Sequence, residues 1–311
     1  MAFVLRRLCR LLLSLAVVVT ASFGMMHLIP GDPVRAALGP TASPELIEAR
    51  RATLGLDLPL HEQFWNYLTG LFRGELGVSI ATGERVSDIV GERLPATLEL
   101  AFAAVPLTLL LAVPLGMWLA ARTENGRRRG TELVFTTVSG FVLALPEFLV
   151  AIGLVVVFSV TLGVLPPAGR GDPSTYVLPV AALVLGPAAL ITRLIRLETL
   201  RVLGEEYVRV ARAKRLAPAR LYLRHVLPNT LTATLTIAGL LLAGLIAGSV
   251  IVENVFAWPG VGSRVVQAIV SKDYPVAQGI VLLYGAVVLV VNIGVDVLLG
   301  LADPRSQIRR H

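Results

Sequence analysis

The chain has 311 residues, of which 55% are hydrophobic and only 16% charged, with a formal net charge of +7. A soluble domain of this size carries roughly 25% charge, so the composition excludes one and describes a polytopic membrane protein whose length is counted in spans. The positive balance fits cytoplasmic loops, which collect Arg and Lys. No basic stretch is interleaved with base-stacking aromatics, so membrane lipid is an expected partner and nucleic acid is not.

A crossing helix needs about 20 apolar residues, and six stretches qualify: 8–29, 97–121, 133–162, 177–197, 231–252 and 278–301. The expected fold is all-α with six transmembrane helices. Arg6, Arg7 and Arg10 before the first stretch resemble the start of a signal peptide, but the apolar run continues to Ile29, beyond a signal core. An uncleaved span is the favoured reading. Pro30-Gly31-Asp32-Pro33 then stops the helix, since two prolines and a glycine cannot continue it.

In the region that follows, Ser43-Pro44-Glu45 reads as a helix start. Leu60, Phe64, Tyr67, Leu68 and Leu71 have helical spacing, so a surface helix is expected there, with Phe64, Trp65 and Tyr67 as interfacial anchors or packing residues. Pro146 predicts a kink in the third span. Gly244 and Gly248 in the fifth permit close helix contact, within the chain or with a second subunit.

Arginines set the orientation. Arg6, Arg7, Arg10, Arg122, Arg127, Arg128, Arg129, the segment from Arg193 to Arg224, Arg305, Arg309 and Arg310 fall on one side, and acids outnumber bases on the other. By the positive-inside rule both termini are cytoplasmic. The chain then divides into a first span (1–29), an extracytoplasmic region (30–96) and a five-helix core (97–311); the core carries a cytoplasmic loop at 198–229, an outer loop at 253–277 and a cytoplasmic tail at 302–311.

Catalytic chemistry is hard to place on this chain. Cys9 is the only cysteine, which excludes an intramolecular disulfide, and His27, His61, His225 and His311 have no partner at ligand spacing. No metal or other cofactor is expected, and no nucleophile–base constellation is present, so the chain is not expected to be an enzyme. A P-loop needs Gly directly before its Lys. The only lysines, Lys214 and Lys272, follow Ala213 and Ser271, so the chain has no Walker-type ATPase of its own. Glu147 and Asp296 lie within apolar stretches, where an ionisable group marks either structural hydrogen bonding or a pathway and gating site.

Between the fourth and fifth stretches lies a basic segment from Glu206 to Asn229. Tyr207, Val210 and Ala211 share one helical face, and Arg209 and Arg212 point elsewhere. Ala217-Pro218 marks a turn and a second helix start, and Leu221, Tyr222 and Val226 form another apolar stripe. This reads as a helix–turn–helix whose small Ala residues admit a partner closely. An amphipathic loop on anionic lipid is the competing reading.

Glu206, Tyr207, Val208, Arg209, Ala211, Arg212, Ala213, Lys214, Leu216, Arg224, His225, Leu227 and Asn229 match the EAA loop of ABC importer permeases in the dipeptide/oligopeptide/nickel form. Similar to that family's signatures are Pro30-Gly31-Asp32-Pro33, Leu54-Gly55-Leu56-Asp57, Gly74-Glu75-Leu76-Gly77-x-Ser79, Leu94-Pro95-Ala96-Thr97-x-Glu99-Leu100, Glu253 to Gly262, Lys272-Asp273-Tyr274-Pro275 and Asp303-Pro304-Arg305. The chain resembles this family over almost its whole length, but Arg215 stands where the family's loop has glycine, and Glu75 where it usually has Asp.

The resemblance implies a type I ABC importer permease fold in the bacterial cytoplasmic membrane. It implies a second homologous permease subunit, two ATP-binding subunits gripping the EAA coupling hairpin, and an extracytoplasmic substrate-binding protein. The loop with Glu253, Trp258, Pro259 and Tyr274 is then a plug or a binding-protein contact. The substrates implied are dipeptides, oligopeptides, glutathione, nickel or metal chelates. Segments 94–101, 113–118 and 252–262 lean toward the nickel-type branch. The rival class is a secondary transporter or channel independent of ATP.

Overall fold

The computed structural model describes residues 13–24, 32–39 and 41–302, without the side chains of 33, 37, 232–238, 240–243, 246–248 and 295–302. It contains thirteen α-helices among these residues. They are α1 (Leu13–Gly24), α2 (Pro33–Leu38), α3 (Pro44–Thr53), α4 (Leu60–Phe72), α5 (Val86–Thr123), α6 (Arg129–Ala144), α7 (Glu147–Leu154), α8 (Val177–Leu203), α9 (Glu206–Ala213), α10 (Pro218–Leu221), α11 (Leu227–Val255), α12 (Val261–Val270) and α13 (Tyr274–Ala302).

The stretches 97–121, 133–162, 177–197, 231–252 and 278–301 fall on α5, α6 with α7, α8, α11 and α13. Among the described residues, three segments are long and apolar enough to cross a membrane: Val86–Gly126, Pro173–Leu203 and Tyr274–Gly294. The third expected span is broken rather than merely kinked. α6 ends at Ala144, Pro146 caps α7, and the two halves are bent by 97°. Proline lacks the N–H that an unbroken ladder would need there. A π-helical segment, Val155–Thr161, prolongs α7. The first expected span is described only as α1, and Arg6, Arg7, Cys9, Arg10, His27 and the Asp303-Pro304-Arg305 signature lie outside the described residues.

Contacts divide the chain into two compact units, residues 1–98 with 258–289, and residues 99–257 with 290–311. In the second unit the organising surface is a stripe on α5. Leu100, Ala104, Thr108, Ala112 and Ala120 are each fully buried, and so is Gly116, which keeps the same spacing of four. At Gly116 a β-carbon would lie 2.7 Å from Ile195 and 2.9 Å from the carbonyl oxygen of Thr192 on α8. Only glycine allows this approach. The stripe packs Ala112 against Ile191 and Ile195, with Leu109, Val113, Met117 and Leu231 around them. At Gly244, by contrast, a β-carbon would meet nothing within 4 Å among the described residues.

At one end of this unit, Arg170 donates through Nε to Glu99 Oε2 at 3.0 Å, and the Tyr176 hydroxyl donates to the same oxygen at 2.8 Å. At the other, Arg196 donates to Thr123 Oγ1 at 3.1 Å and to Glu132 Oε1 at 2.6 Å, joining α8 to the end of α5 and to α6.

The first unit is tied together by its loops. Ser79 Oγ and the backbone N–H of Ile80 (3.0 Å) both donate to the buried Asp273 carboxylate, and Arg264 approaches it at 3.5 Å. The Trp258 indole donates to the carbonyl of Ala96 at 2.8 Å, and Thr97 Oγ1 accepts from the N–H of Val261, the first residue of α12, at 2.9 Å. Asp32 caps α2 by accepting from Val34 and Arg35 N–H and pairs with Arg51. Burial alone raises its pKa, but those bonds outweigh it and the carboxyl sits below its usual range.

Candidate coupling surface

The basic segment folds in the second unit as α9, a turn, α10 and a π-helical stretch, Tyr222–Val226, that leads into α11. Ala217 is extended (ψ 138°), as a residue before proline must be, and Pro218 opens α10. The Asn229 amide donates to the carbonyl of His225 at 2.7 Å, which satisfies an acceptor in the widened turn.

The turn closes with a Schellman motif. Arg215 N–H donates to the carbonyl of Arg212 at 2.9 Å, and Leu216 N–H to that of Ala211 at 3.4 Å. The motif requires a left-handed residue after the C-cap, and Arg215 takes that conformation with φ 54°. The arginine at the family's glycine position therefore keeps the glycine's backbone geometry. A non-glycine residue there costs about 1 kcal/mol. Arg215→Gly should relieve part of this and slow amide exchange at Leu216 roughly 2- to 5-fold, measured by hydrogen–deuterium exchange. Unchanged exchange would mean that the turn carries no strain.

Beneath the turn, Val208, Ala211, Leu221 and Val226 are buried together with Val202 and Leu203 of α8; Met117, Leu216 and Tyr222 pack around them. α9 divides its apolar side chains between core and surface. Its buried residues are Val208 and Ala211, one turn apart, whereas Tyr207 is 42% and Val210 54% exposed. Ala211 packs inward and leaves Ala213 at the surface. The second stripe is as expected for Leu221 and Val226, which are buried, with Tyr222 half-buried.

The arginines differ as well. Arg212 reaches Glu124, on the turn after α5, with a forked pair of contacts at 2.8 and 3.0 Å. The bond to Glu124, against the opposing effect of burial, raises the Arg212 pKa above its ordinary value. Glu206, Arg209, Lys214, Arg215 and Arg224 are exposed, and His225 is half-buried. With Tyr207, Val210 and Leu223 (65% exposed) they leave this segment an exposed surface that mixes aromatic, aliphatic and mainly cationic side chains, on a base held by the buried cluster and by Glu124. Rigid helices that present aromatic, aliphatic and arginine side chains are suited to protein docking.

The other candidate residues are not gathered into one place. Glu147 is half-buried at the start of α7, on the break in the third span. Asp296 falls on α13, with its side chain outside the described residues. Glu253 and Trp258 are fully buried and Tyr274 is 2% exposed, while Pro259 is half-buried. The Trp258 indole is bonded to the Ala96 carbonyl, and Glu253 accepts from Ser249 Oγ at 3.2 Å.

Comparison with known proteins bears directly on this arrangement. Residues 112–308 match the family described as binding-protein-dependent transport system inner membrane component, and residues 1–101 match the N-terminal part of the same membrane component. The glutathione transport system permease protein GsiC of Salmonella typhi is 36% identical over 97% of both chains. That of Escherichia coli K12 is 35% identical over the same share. Among solved structures, the inward-facing methionine ABC transporter MetNI superposes with TM-scores of 0.59 and 0.60 in two crystal forms, at 18% and 17% identity, over 69% of this chain and 96% of that one. The fold is thus shared with an ABC permease. The chain belongs to the inner membrane components of binding-protein-dependent transport systems, as an ABC importer permease of the dipeptide/oligopeptide/nickel family, a transport subunit and not itself an enzyme.

Proposed function

We propose that this chain forms half of a translocation pathway, beside a second homologous permease subunit, in an importer driven by two ATP-binding subunits. The exposed face of α9 and the following turns, centred on Tyr207, Val210, Arg209 and Leu223, is where an ATP-binding subunit docks. This face is the observation that carries the reading: it is apolar and cationic, and the helices beneath it belong to the membrane-crossing bundle. Closure of the ATP-binding subunits then moves α8 and α11 as rigid bodies between two states. The arrangement has six spans with both termini cytoplasmic, supported by the distribution of arginine. Glu147 and Asp296 are pathway or gating residues, Glu147 because it sits where a span is broken.

The substrate is a small peptide of glutathione size, delivered by an extracytoplasmic binding protein. The glutathione permeases that match over 97% of the chain support this reading. Nickel and metal chelates, toward which segments 94–101, 113–118 and 252–262 lean, have no such support among those relatives.

The test is the reconstituted complex carrying Tyr207→Arg and Val210→Arg together. The ATP-binding subunits should be lost on purification. ATP hydrolysis stimulated by glutathione-loaded binding protein should fall at least about 10-fold, which corresponds to about 1.4 kcal/mol or more of lost docking. Full retention of both would sink the docking assignment, and uptake without ATP would favour a secondary transporter.

A further inference from the structure

We propose that α4 is an interfacial helix whose Trp65–Phe72 edge lies in the membrane–water boundary, with lipid as its occupant. The argument stays within the first unit and does not depend on the transport reading. Phe23 of α1 packs on one side of α4, edge-on to Phe64 at 5.1 Å and beside Tyr67 at 5.9 Å. The preceding residue, Ser22, donates to the carbonyl of Gln278 on α13 at 2.9 Å. Farther along, α1 and α13 cross so closely that a β-carbon on Gly285 would collide with Val18.

These contacts fix a depth. α13 is apolar enough over Tyr274–Gly294 to cross a membrane. Gln278 lies within the first turns of that helix, roughly 6 Å of helical rise from its start. α4 is therefore seated, through α1, beside the first turns of the membrane-crossing α13, where headgroups begin.

Around its own axis α4 presents three surfaces. Phe64 and Tyr67 face α1. Glu62, Asn66, Thr69 and Arg73 recur at helical spacing on a polar side. Between these lie Trp65 and Phe72, seven residues apart and so on one edge, 65% and 89% exposed. Water is a poor neighbour for such an edge, whereas Trp is enriched at headgroup depth and an amphipathic helix buries its apolar edge there.

The single cysteine makes this measurable. In a Cys9→Ser background, Trp65→Cys, Phe72→Cys, Glu62→Cys and Asn66→Cys can each be spin-labelled in protein reconstituted into phosphatidylethanolamine–phosphatidylglycerol vesicles. Accessibility to oxygen relative to a water-soluble nickel chelate should be at least about 3-fold higher at 65 and 72 than at 62 and 66. Equal ratios at all four positions would overturn the proposal. Protection of 65 and 72 from both reagents would also overturn it, in favour of a protein partner on that edge. Two labelled positions on the edge guard against one variant failing to fold.

Discussion

Asp273→Ala is expected to be among the most damaging single substitutions in the chain, at about 3–5 kcal/mol, because it leaves a largely buried guanidinium without its counter-charge. Asp273 is fully buried, and Arg264, 3.5 Å away, has a side chain only 13% exposed. The same carboxylate accepts from Ser79 Oγ and from Ile80 N–H. Those two bonds hold a tight loop in which Ser79 N–H donates to Glu84 and Val86 N–H to Gly77. Removing the acceptor orphans three donors at once, in a site too dry for water to replace it freely. Hydrogen exchange should report this as lost protection at Ile80 and Val86, and thermal unfolding should shift downward. Combining Asp273→Asn with Arg264→Met removes both charges and should recover part of the loss. If the double variant were as unstable as Asp273→Ala, the cost would lie in the hydroxyl and amide bonds instead of the ion pair.

That cluster also explains what several weak motifs are for. Gly77-x-Ser79 and Asp273-Tyr274-Pro275 are almost two hundred positions apart, yet Ser79 is bonded to Asp273. Ala96-Thr97 and Trp258 to Val261 meet in the same way through an indole N–H and a hydroxyl. Read along the chain, the loop with Trp258 and Tyr274 reads as a plug or a binding-protein contact as readily as a loop packed on its own spans. Aromatic and turn-forming residues do mark exposed loops, but they equally mark loops that close over their own helices, and nothing local separates the two. The pairing of one motif with another shows where each loop packs, and pairing is a long-range property.

The helices themselves were legible because about 20 apolar residues in succession have few alternatives to a membrane helix. Their ends were less so: α5 begins at Val86, ahead of the apolar run, since Val86 to Arg93 can form helix without being apolar. The packing face of a span is harder still, because lipid and protein are both apolar surroundings and hydrophobic periodicity fades. Small residues keep a signal. Ala104, Thr108, Ala112, Gly116 and Ala120 repeat every fourth position and name the face of α5 that is buried. The pair Gly244 and Gly248 is shorter, and Gly244 meets nothing within 4 Å. On α9, Tyr207, Val210 and Ala211 share a helical face by spacing, yet of these only Ala211 is buried, together with Val208. α9 is barely two turns long, and its apolar residues Tyr207, Val208, Val210, Ala211 and Ala213 fall on several sides, so the pattern alone does not fix its rotation.

The rotation of α9 leads to the second large effect. Arg209 and Arg212 are equivalent in the sequence as surface cations, but they are not equivalent in the fold. Arg212→Glu should abolish coupled ATP hydrolysis, and the reason is internal: a second carboxylate is brought against Glu124 in place of a forked ion pair. Arg212 is 40% exposed, so solvent screens the pair and its own worth is at most about 1 kcal/mol. Reversing its sign adds repulsion and frees α9 to tilt on the cluster of Val208, Ala211 and Leu216. Loss of position rather than of folding is then the expected defect, with the spans intact and the docking face misplaced. Glu124→Arg in the same chain restores opposite charges with the strut inverted, and should recover at least half of the coupled hydrolysis. Among the described residues no carboxylate pairs with Arg209, so Glu124→Arg should leave the defect of Arg209→Glu unchanged. Rescue of Arg212→Glu alone would establish Arg212 as a positioning residue and Arg209 as a contact. Equal failure to rescue both would return Arg212 to the docking surface.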